Sequence, residues 1–134
     1  DYATQMGRVL YHPDGINIDG ASVKLAPREL ATYLFIAKSK PETPVIRPDT
    51  DIPDLATGQE LARFYADLKG SRESVLERLE TVGVSGSELN QDISRINKKI
   101  DDALEGADHR EGAKITSTKS RAGQTCYRIE SLQM

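Results

Sequence analysis

The chain has 134 residues, which is enough for one domain with its own hydrophobic core. Apolar residues make up 37% of the chain and aromatic residues 5%, so part of it is expected to lie in loops. The formal net charge of −3 excludes a protein that binds nucleic acid with a basic surface all round. Any such binding must depend on a local basic patch.

The cysteine content and the apolar pattern bear on the compartment. Cys126 is the single cysteine, which excludes an internal disulfide and favours a reducing compartment, expected to be the cytoplasm. Neither a stretch of 18 apolar residues nor a signal-peptide pattern is present, so no membrane partner is expected. The chain opens DYATQMG without an initiator methionine. We therefore expect a fragment of a longer polypeptide, whose N-terminal domain would be one partner.

Residues 1–26 are predicted to contain short antiparallel strands. Apolar and polar residues alternate over residues 8–25, as they do in half-buried strands. Turn signals interrupt this alternation at PDG, residues 13–15, and at DG, residues 19–20. The pattern predicts a small sheet at the start of the chain.

A broad apolar helix is predicted next, and then a loop and a second helix. Pro27 suits a first helical position and Glu29 suits a first turn, where the helix dipole favours an acid. Residues 39–56 contain four prolines and are predicted to form a long surface loop. Thr57 and Glu60 have the spacing of a capping box, which predicts the start of the second helix.

Residues 71–105 are predicted to form a helix-turn-helix. Ser71 is expected to begin its first helix, and the turn GVSG separates this from the second. Ser85 and Glu88 form a further capping box. In the second helix, QDISRINKKIDDALE, apolar residues recur at helical spacing, so one arc is expected to face the core. Residues 113–130 then read as strand, turn and strand, which predicts a β-hairpin wing.

This order of elements predicts an α+β protein, mainly α, that forms a single winged-helix domain over residues 1–134. Its fold would be a winged helix-turn-helix with N-terminal short antiparallel strands and a C-terminal β-hairpin wing. A Pro-rich loop plus a helix would be inserted between the first helix and the helix-turn-helix.

Two segments resemble the winged-helix effector domain of OmpR/PhoB-type response regulators. VKLAPRELATYL, residues 23–34, is similar to the strand and L-T-P-x-E segment of that family, and YRI, residues 127–129, resembles its closing G-Y-R-L. The resemblance implies a winged helix that regulates transcription by binding DNA. The chain departs from the family in the long segment at 39–70, in Ala26 at the Ser/Thr cap position and in Cys126 at a glycine position.

A second resemblance is to the C-terminal segment of a CRISPR-associated family. It is carried by LAPRELATYLFIAKSK, the proline-rich stretch, LNQDISRINKKIDDAL and the short hairpin. In that family the N-terminal half is a Rossmann-like domain related to cyclic-oligoadenylate sensors and ring nucleases. The resemblance implies a role in antiviral defence. The family's nucleotide-handling site lies in the N-terminal half, so no catalytic residue is carried over.

The arc of the second helix opposite the core carries side chains that commonly contact bases and phosphates. The predicted nucleic-acid-binding residues are Ser87, Gln91, Ser94, Arg95 and Lys98 on this helix, and Lys119 and Arg121 on the wing. From Ser87 to Glu105, however, the helix has three basic and five acidic residues. For the helix, the alternative is a charged face that is only solvated. For the wing, the alternative is an exposed hairpin whose charges serve solubility and protect its edge from pairing with other strands.

Two functions follow as hypotheses. The first is a domain that binds DNA or RNA in a regulatory or CRISPR-associated protein. The second is a winged-helix module for protein contacts, with a homodimer as one expected assembly; the net negative charge and the Pro-rich insert favour it. No acid, base and nucleophile converge in the sequence, so no enzymatic role is expected for this chain, and neither a cofactor nor a metal is expected.

Overall fold

The computed structural model describes residues 9–12, 14–18, 21–39, 44–105 and 110–129. Within these ranges the protein is α+β, with helices and small antiparallel sheets. The strands are β1 (Val9–His12), β2 (Gly15–Ile18), β3 (Ala21–Lys24), β4 (Val45–Ile46), β5 (Ile115–Lys119) and β6 (Thr125–Ile129). The helices are α1 (Pro27–Ala37), α2 (Leu55–Tyr65), α3 (Glu73–Thr81), α4 (Gly86–Ala103) and α5 (Arg110–Ala113).

The N-terminal strands form an antiparallel sheet in the order β1-β2-β3, which confirms the predicted strands. Alternation sets its buried face, because Ile16 and Ile18 are two positions apart and both fully buried. Ile16 lies opposite Val23, which extends the same apolar face onto β3. Pro13 and the turn predicted at residues 19–20 lie outside the described residues.

Helix α1 is central, as predicted, and packs against α2, α4 and β6. Its N-cap, Ala26, has no side-chain acceptor, and Glu29 Oε1 instead accepts a hydrogen bond from the Ala26 N–H at 2.9 Å. Tyr33 is fully buried and its hydroxyl donates to the Ala113 carbonyl oxygen at 2.8 Å. This bond ties the centre of α1 to the residues just before β5.

The segment predicted as an unbroken loop contains β4, so that prediction was wrong at Val45–Ile46. Val45 lies opposite Tyr127, and β4 thus adds a third strand to the sheet of the C-terminal hairpin. A strand of two residues is too short to produce a periodic pattern. Its hydrogen-bond partners come from the far end of the sequence.

The start of α2 also differs from the prediction. Asp54 is the N-cap, and its carboxylate accepts the Thr57 N–H at 2.9 Å. The helix begins at Leu55, so Thr57 and Glu60 do not form the predicted capping box. An aspartate fills the cap position equally well, and it lies inside the stretch that the prolines marked as a loop.

The α3–α4 region matches the predicted helices with one corrected boundary. The N-cap of α3 is Arg72 rather than Ser71, and the Arg72 N–H donates to the Tyr65 hydroxyl at 2.8 Å. Ser85 caps α4 as predicted, because its Oγ accepts the Glu88 N–H at 3.2 Å. The predicted core arc of α4 is confirmed, and its fully buried residues are Leu89, Ile96 and Ile100.

The C-terminal sheet has the order β4-β6-β5, and its β5–β6 hairpin confirms the predicted strand, turn and strand. The short helix α5 precedes the hairpin and was not predicted. Ile115 and Ile129 lie opposite each other and are both buried, which joins the base of the hairpin to the core. Within the described ranges, no helix has both the length and the apolar character needed to cross a bilayer.

Candidate nucleic-acid interface

The solvent-facing side of α4 carries the five predicted helix residues. Gln91, Ser94, Arg95 and Lys98 are exposed, and Ser87 is half-buried. Their positions follow from the helix period, because the opposite arc is filled by the buried core residues. We call Ser87, Gln91, Ser94, Arg95 and Lys98 the α4 face. The structure thus brings these five residues together on one surface.

The two predicted wing residues lie at the tip of the β5–β6 hairpin. Lys119 ends β5, Arg121 follows it in the turn, and both are exposed. Hydrogen bonds inside the turn hold the tip closed, since the Gly123 N–H donates to the Ser120 carbonyl at 2.9 Å. We call residues 119–124 the hairpin tip.

Two asparagines of α4 fix the hairpin against the helix. Asn97 accepts the Ile115 N–H at 2.8 Å and donates to the Ile115 carbonyl at 2.9 Å, as a neighbouring strand would. Nearer the N-terminus of α4, Asn90 Oδ1 accepts a hydrogen bond from the Tyr127 hydroxyl at 2.6 Å. Because Tyr127 lies opposite Ser117, the hairpin runs from Asn97 towards the N-terminal end of α4 as it approaches its tip.

The strand register decides which hairpin cation points towards α4. Residues directly opposite each other in an antiparallel pair share a face of the sheet. Lys119 pairs with Thr125, two positions from Tyr127, and so lies on the face that contacts Asn90. Arg128 alternates with Tyr127 and lies on the other face. Lys119 therefore lies on the side of the sheet that faces α4, whereas Arg128 lies on the opposite side.

Arg47 is a further cation at this place, and sequence reasoning missed it. It follows β4, and its Nε donates to the Tyr127 hydroxyl at 2.6 Å. Its guanidinium carbon lies 5.4 Å from the centroid of the Tyr127 ring. A Cβ on Gly86 would lie 3.1 Å from Arg47 Cγ, so the stem of Arg47 passes beside the first residue of α4. No sequence signal indicated this position, because it depends on the pairing of β4 with β6.

Ion pairs change the charge balance of α4 from the one that a count of its residues indicates. Glu88 lies 3.5 Å from Arg28 and 3.0 Å from Arg78, so its negative charge is offset by two guanidinium groups. Asp101, in the second half, lies 3.1 Å from the Lys114 ammonium group. Among the described residues, no carboxylate makes an ion pair within 4 Å of the cations Arg95, Lys98, Lys119 and Arg121. The N-terminal half of the α4 face is therefore more basic than a count of residues indicates.

The N-terminal amides of α4 are already used by the protein. The Gly86 N–H donates to the Asp49 carbonyl at 2.7 Å, and the Ser87 N–H donates to the Thr50 carbonyl at 3.2 Å. The Asp49 carboxylate accepts the N–H groups of Asp51 and Ile52, which hold its pKa below the usual value and keep it negative. Anion binding at this end must therefore depend on side chains and not on the helix terminus.

Asp92 of α4 is buried and lies next to Arg28 of α1. Burial raises the pKa of its carboxyl to about 6, although Arg28 and Arg95 act in the opposite direction. Arg28 Nε lies 3.2 Å from Asp92 Oδ2, but the two atoms are not aligned as a hydrogen bond. The attraction between these groups therefore does not offset the loss of hydration around the carboxylate.

Asp92→Asn is expected to make the protein more stable at pH 7, by about 2 kcal/mol, because asparagine keeps the shape of the buried side chain but carries no charge. The folded-state pKa of Asp92 lies above its ordinary value, so the wild-type carboxyl favours folding most at low pH. This contribution falls as pH rises from about 4 through about 6. Urea denaturation at pH 7 and pH 4.5 measures the effect, with Asp102→Asn as an exposed control on the same helix. A less stable Asp92→Asn protein at pH 7 would show that the pair with Arg28 outweighs the cost of burial.

Among the described residues, no three side chains of His, Cys, Asp or Glu lie together in a way that could hold a metal ion. No protein-family model, curated protein or solved structure matches the chain.

Proposed function

We propose that the protein is a winged helix-turn-helix domain that binds nucleic acid with the α4 face and the hairpin tip. The observation that carries this proposal is the docking of the hairpin on α4 through Asn97 and Asn90. With this docking, Lys119 lies on the side of the sheet that faces α4, the helix that carries the exposed Arg95 and Lys98. Basic side chains on two adjoining elements match the negative charges that are spaced along a nucleic-acid backbone.

The order of elements supports a winged helix. A strand after the first helix, β4, pairs with the hairpin that follows the last long helix, α4. Helices α3 and α4 are joined by a short turn over residues 82–85, and α4 has the exposed position that a recognition helix needs. The setting that we propose, a regulatory or CRISPR-associated protein in the cytoplasm, rests only on the two resemblances and the cysteine content.

A double helix is the form of nucleic acid that this surface fits better. Proteins that bind single strands stack bases on exposed aromatic side chains. The α4 face and the hairpin tip have no aromatic residue. Tyr127, at their junction, is only 2% exposed. The surface therefore offers charge and hydrogen bonds to a backbone but no platform for unpaired bases.

The second candidate function is a protein-interaction or dimerisation module. It is favoured by a groove of about 550 Å³ between α1, β4 and α2, whose lining includes Phe35, Phe64 and Val45 together with polar side chains. Ile46, at its edge, is exposed. Light scattering over a range of concentrations separates this candidate from the first, because a monomer throughout speaks against dimerisation.

Lys119→Ala combined with Arg121→Ala is expected to weaken binding to duplex DNA about tenfold or more at low salt. Each lost phosphate contact lowers the slope of log affinity against log salt by about 0.9, so the double variant should lose up to about 1.8. Fluorescence anisotropy at several salt concentrations measures both quantities. Lys38→Ala with Lys69→Ala is the control, since it removes two exposed charges elsewhere. Unchanged affinity and slope would contradict the role of the hairpin tip.

A further inference from the structure

The side chain of Arg47 is held at three points along its length. Its Cγ passes beside Gly86, its guanidinium lies near the Tyr127 ring, and its Nε donates to the Tyr127 hydroxyl. That hydroxyl in turn donates to Asn90 Oδ1 at 2.6 Å. A chain of hydrogen bonds from α4 through β6 therefore sets the direction of the guanidinium.

The outer end of Arg47 has donors that no described residue uses. Among these residues, Nε alone has an acceptor, and none accepts a hydrogen bond from the two terminal Nη nitrogen atoms. A guanidinium presents these donors as a planar fork that matches two oxygen atoms of a phosphate. Because the side chain is already fixed, it loses little conformational freedom when an anion binds.

The local charges leave the guanidinium available to an anion. No described carboxylate makes an ion pair with Arg47 within 4 Å. The nearest acid along the chain is Asp49, and its carboxylate Oδ1 accepts hydrogen bonds from the Asp51 and Ile52 N–H groups. Lys119 lies on the same face of the sheet as Tyr127, so a second cation is directed to the same side of the sheet.

We infer that Arg47 is a phosphate contact at the N-terminal end of α4, fixed in direction by Tyr127 and Asn90. The inference rests on the proposed function and names a residue and a role that sequence reasoning did not find. Arg47 donates hydrogen bonds to two oxygen atoms of one backbone phosphate of the duplex. Base edges in the groove then lie within reach of the α4 face, which this contact orients.

Three variants test this role in the anisotropy assay with duplex DNA. Arg47→Ala is expected to lower affinity about tenfold and to reduce the salt slope by about 0.9. Arg47→Lys keeps the charge without the fork, so affinity should fall about threefold to fivefold while the slope stays close to that of the wild type. Tyr127→Phe removes the hydroxyl that directs Arg47 and that also donates to Asn90, and a loss of about threefold at unchanged slope is expected.

Arg63→Ala, an exposed arginine on α2, is the matched control, and thermal melting of each variant reports on folding. If the wild type binds duplex DNA and Arg47→Ala binds as well as Arg63→Ala, the inference is overturned and the proposed function stands. If Arg47→Ala is weakened but Tyr127→Phe equals the wild type, the directing role of Tyr127 is overturned. A wild-type protein that does not bind at low salt overturns the proposed function together with this inference.

Discussion

Replacement of Gly83 by alanine is expected to lower the free energy of unfolding by about 3 kcal/mol. Gly83 has φ +98°, a backbone conformation that side chains rarely adopt. A Cβ at this position would also lie 2.3 Å from the Asp54 carbonyl oxygen. That carbonyl accepts the Val84 N–H at 3.1 Å, and the Asp54 N–H donates back to Val84 at 2.9 Å. The backbone cannot move away without losing both bonds.

Gly123→Ala separates the two causes of this effect. Gly123 has a similar φ of +82°, but a Cβ there would meet nothing within 4 Å. Only the backbone strain remains, which costs about 1 kcal/mol. Urea denaturation of both variants and the wild type gives the comparison. Equal losses for the two variants would contradict the close approach of Gly83 to Asp54 that the structure shows.

Reversal of charge on the α4 face, Arg95→Glu with Lys98→Glu, is expected to weaken duplex binding at least about a hundredfold at low salt. Each change removes an attraction to phosphate and adds a repulsion, and both effects are strongest where salt screens least. The two side chains are exposed and the core of α4 is unchanged, so the fold should be retained, with some loss of stability because Arg95 no longer offsets the buried Asp92 charge. Circular dichroism checks the fold, and anisotropy against labelled duplex DNA measures the affinity.

Arg63→Glu with Lys69→Glu is the matched control for this experiment. It changes the net charge of the protein by the same amount but places the acids on α2 and in the turn after it. A modest loss is expected, because the long-range attraction of the whole protein weakens. If both double variants lose the same affinity, binding follows net charge and the α4 face has no special part in it.

The sequence was most informative about which residues of a single helix are buried and which are exposed. The period of 3.6 residues predicted that Leu89, Ile96 and Ile100 would be buried, and it put Gln91 and Lys98 on the opposite arc. The Ser85 cap was also predictable, because its acceptor and the Glu88 N–H are three residues apart. These features depend on contacts within a few residues of each other.

Features that depend on distant partners could not be predicted in this way. The two-residue strand β4 exists because Val45 pairs with Tyr127, which is far along the chain. Arg47 acquires its position through the same pairing, and Asn97 is important because it satisfies the backbone of Ile115. The net charge of α4 could not be predicted from a residue count either. The negative charge of Glu88 is offset by arginines from α1 and α3, which lie outside this helix.

The measurement that tests the central claim most directly is fluorescence anisotropy of the wild-type protein against labelled random duplex DNA and single-stranded RNA. Each titration is made at a low and a near-physiological salt concentration. We expect binding that is tighter for the duplex and that weakens steeply as salt rises, because paired phosphates meet the cations of the α4 face and the hairpin tip. No binding to either ligand at low salt would contradict nucleic-acid recognition and leave the α4 face as a solvated surface.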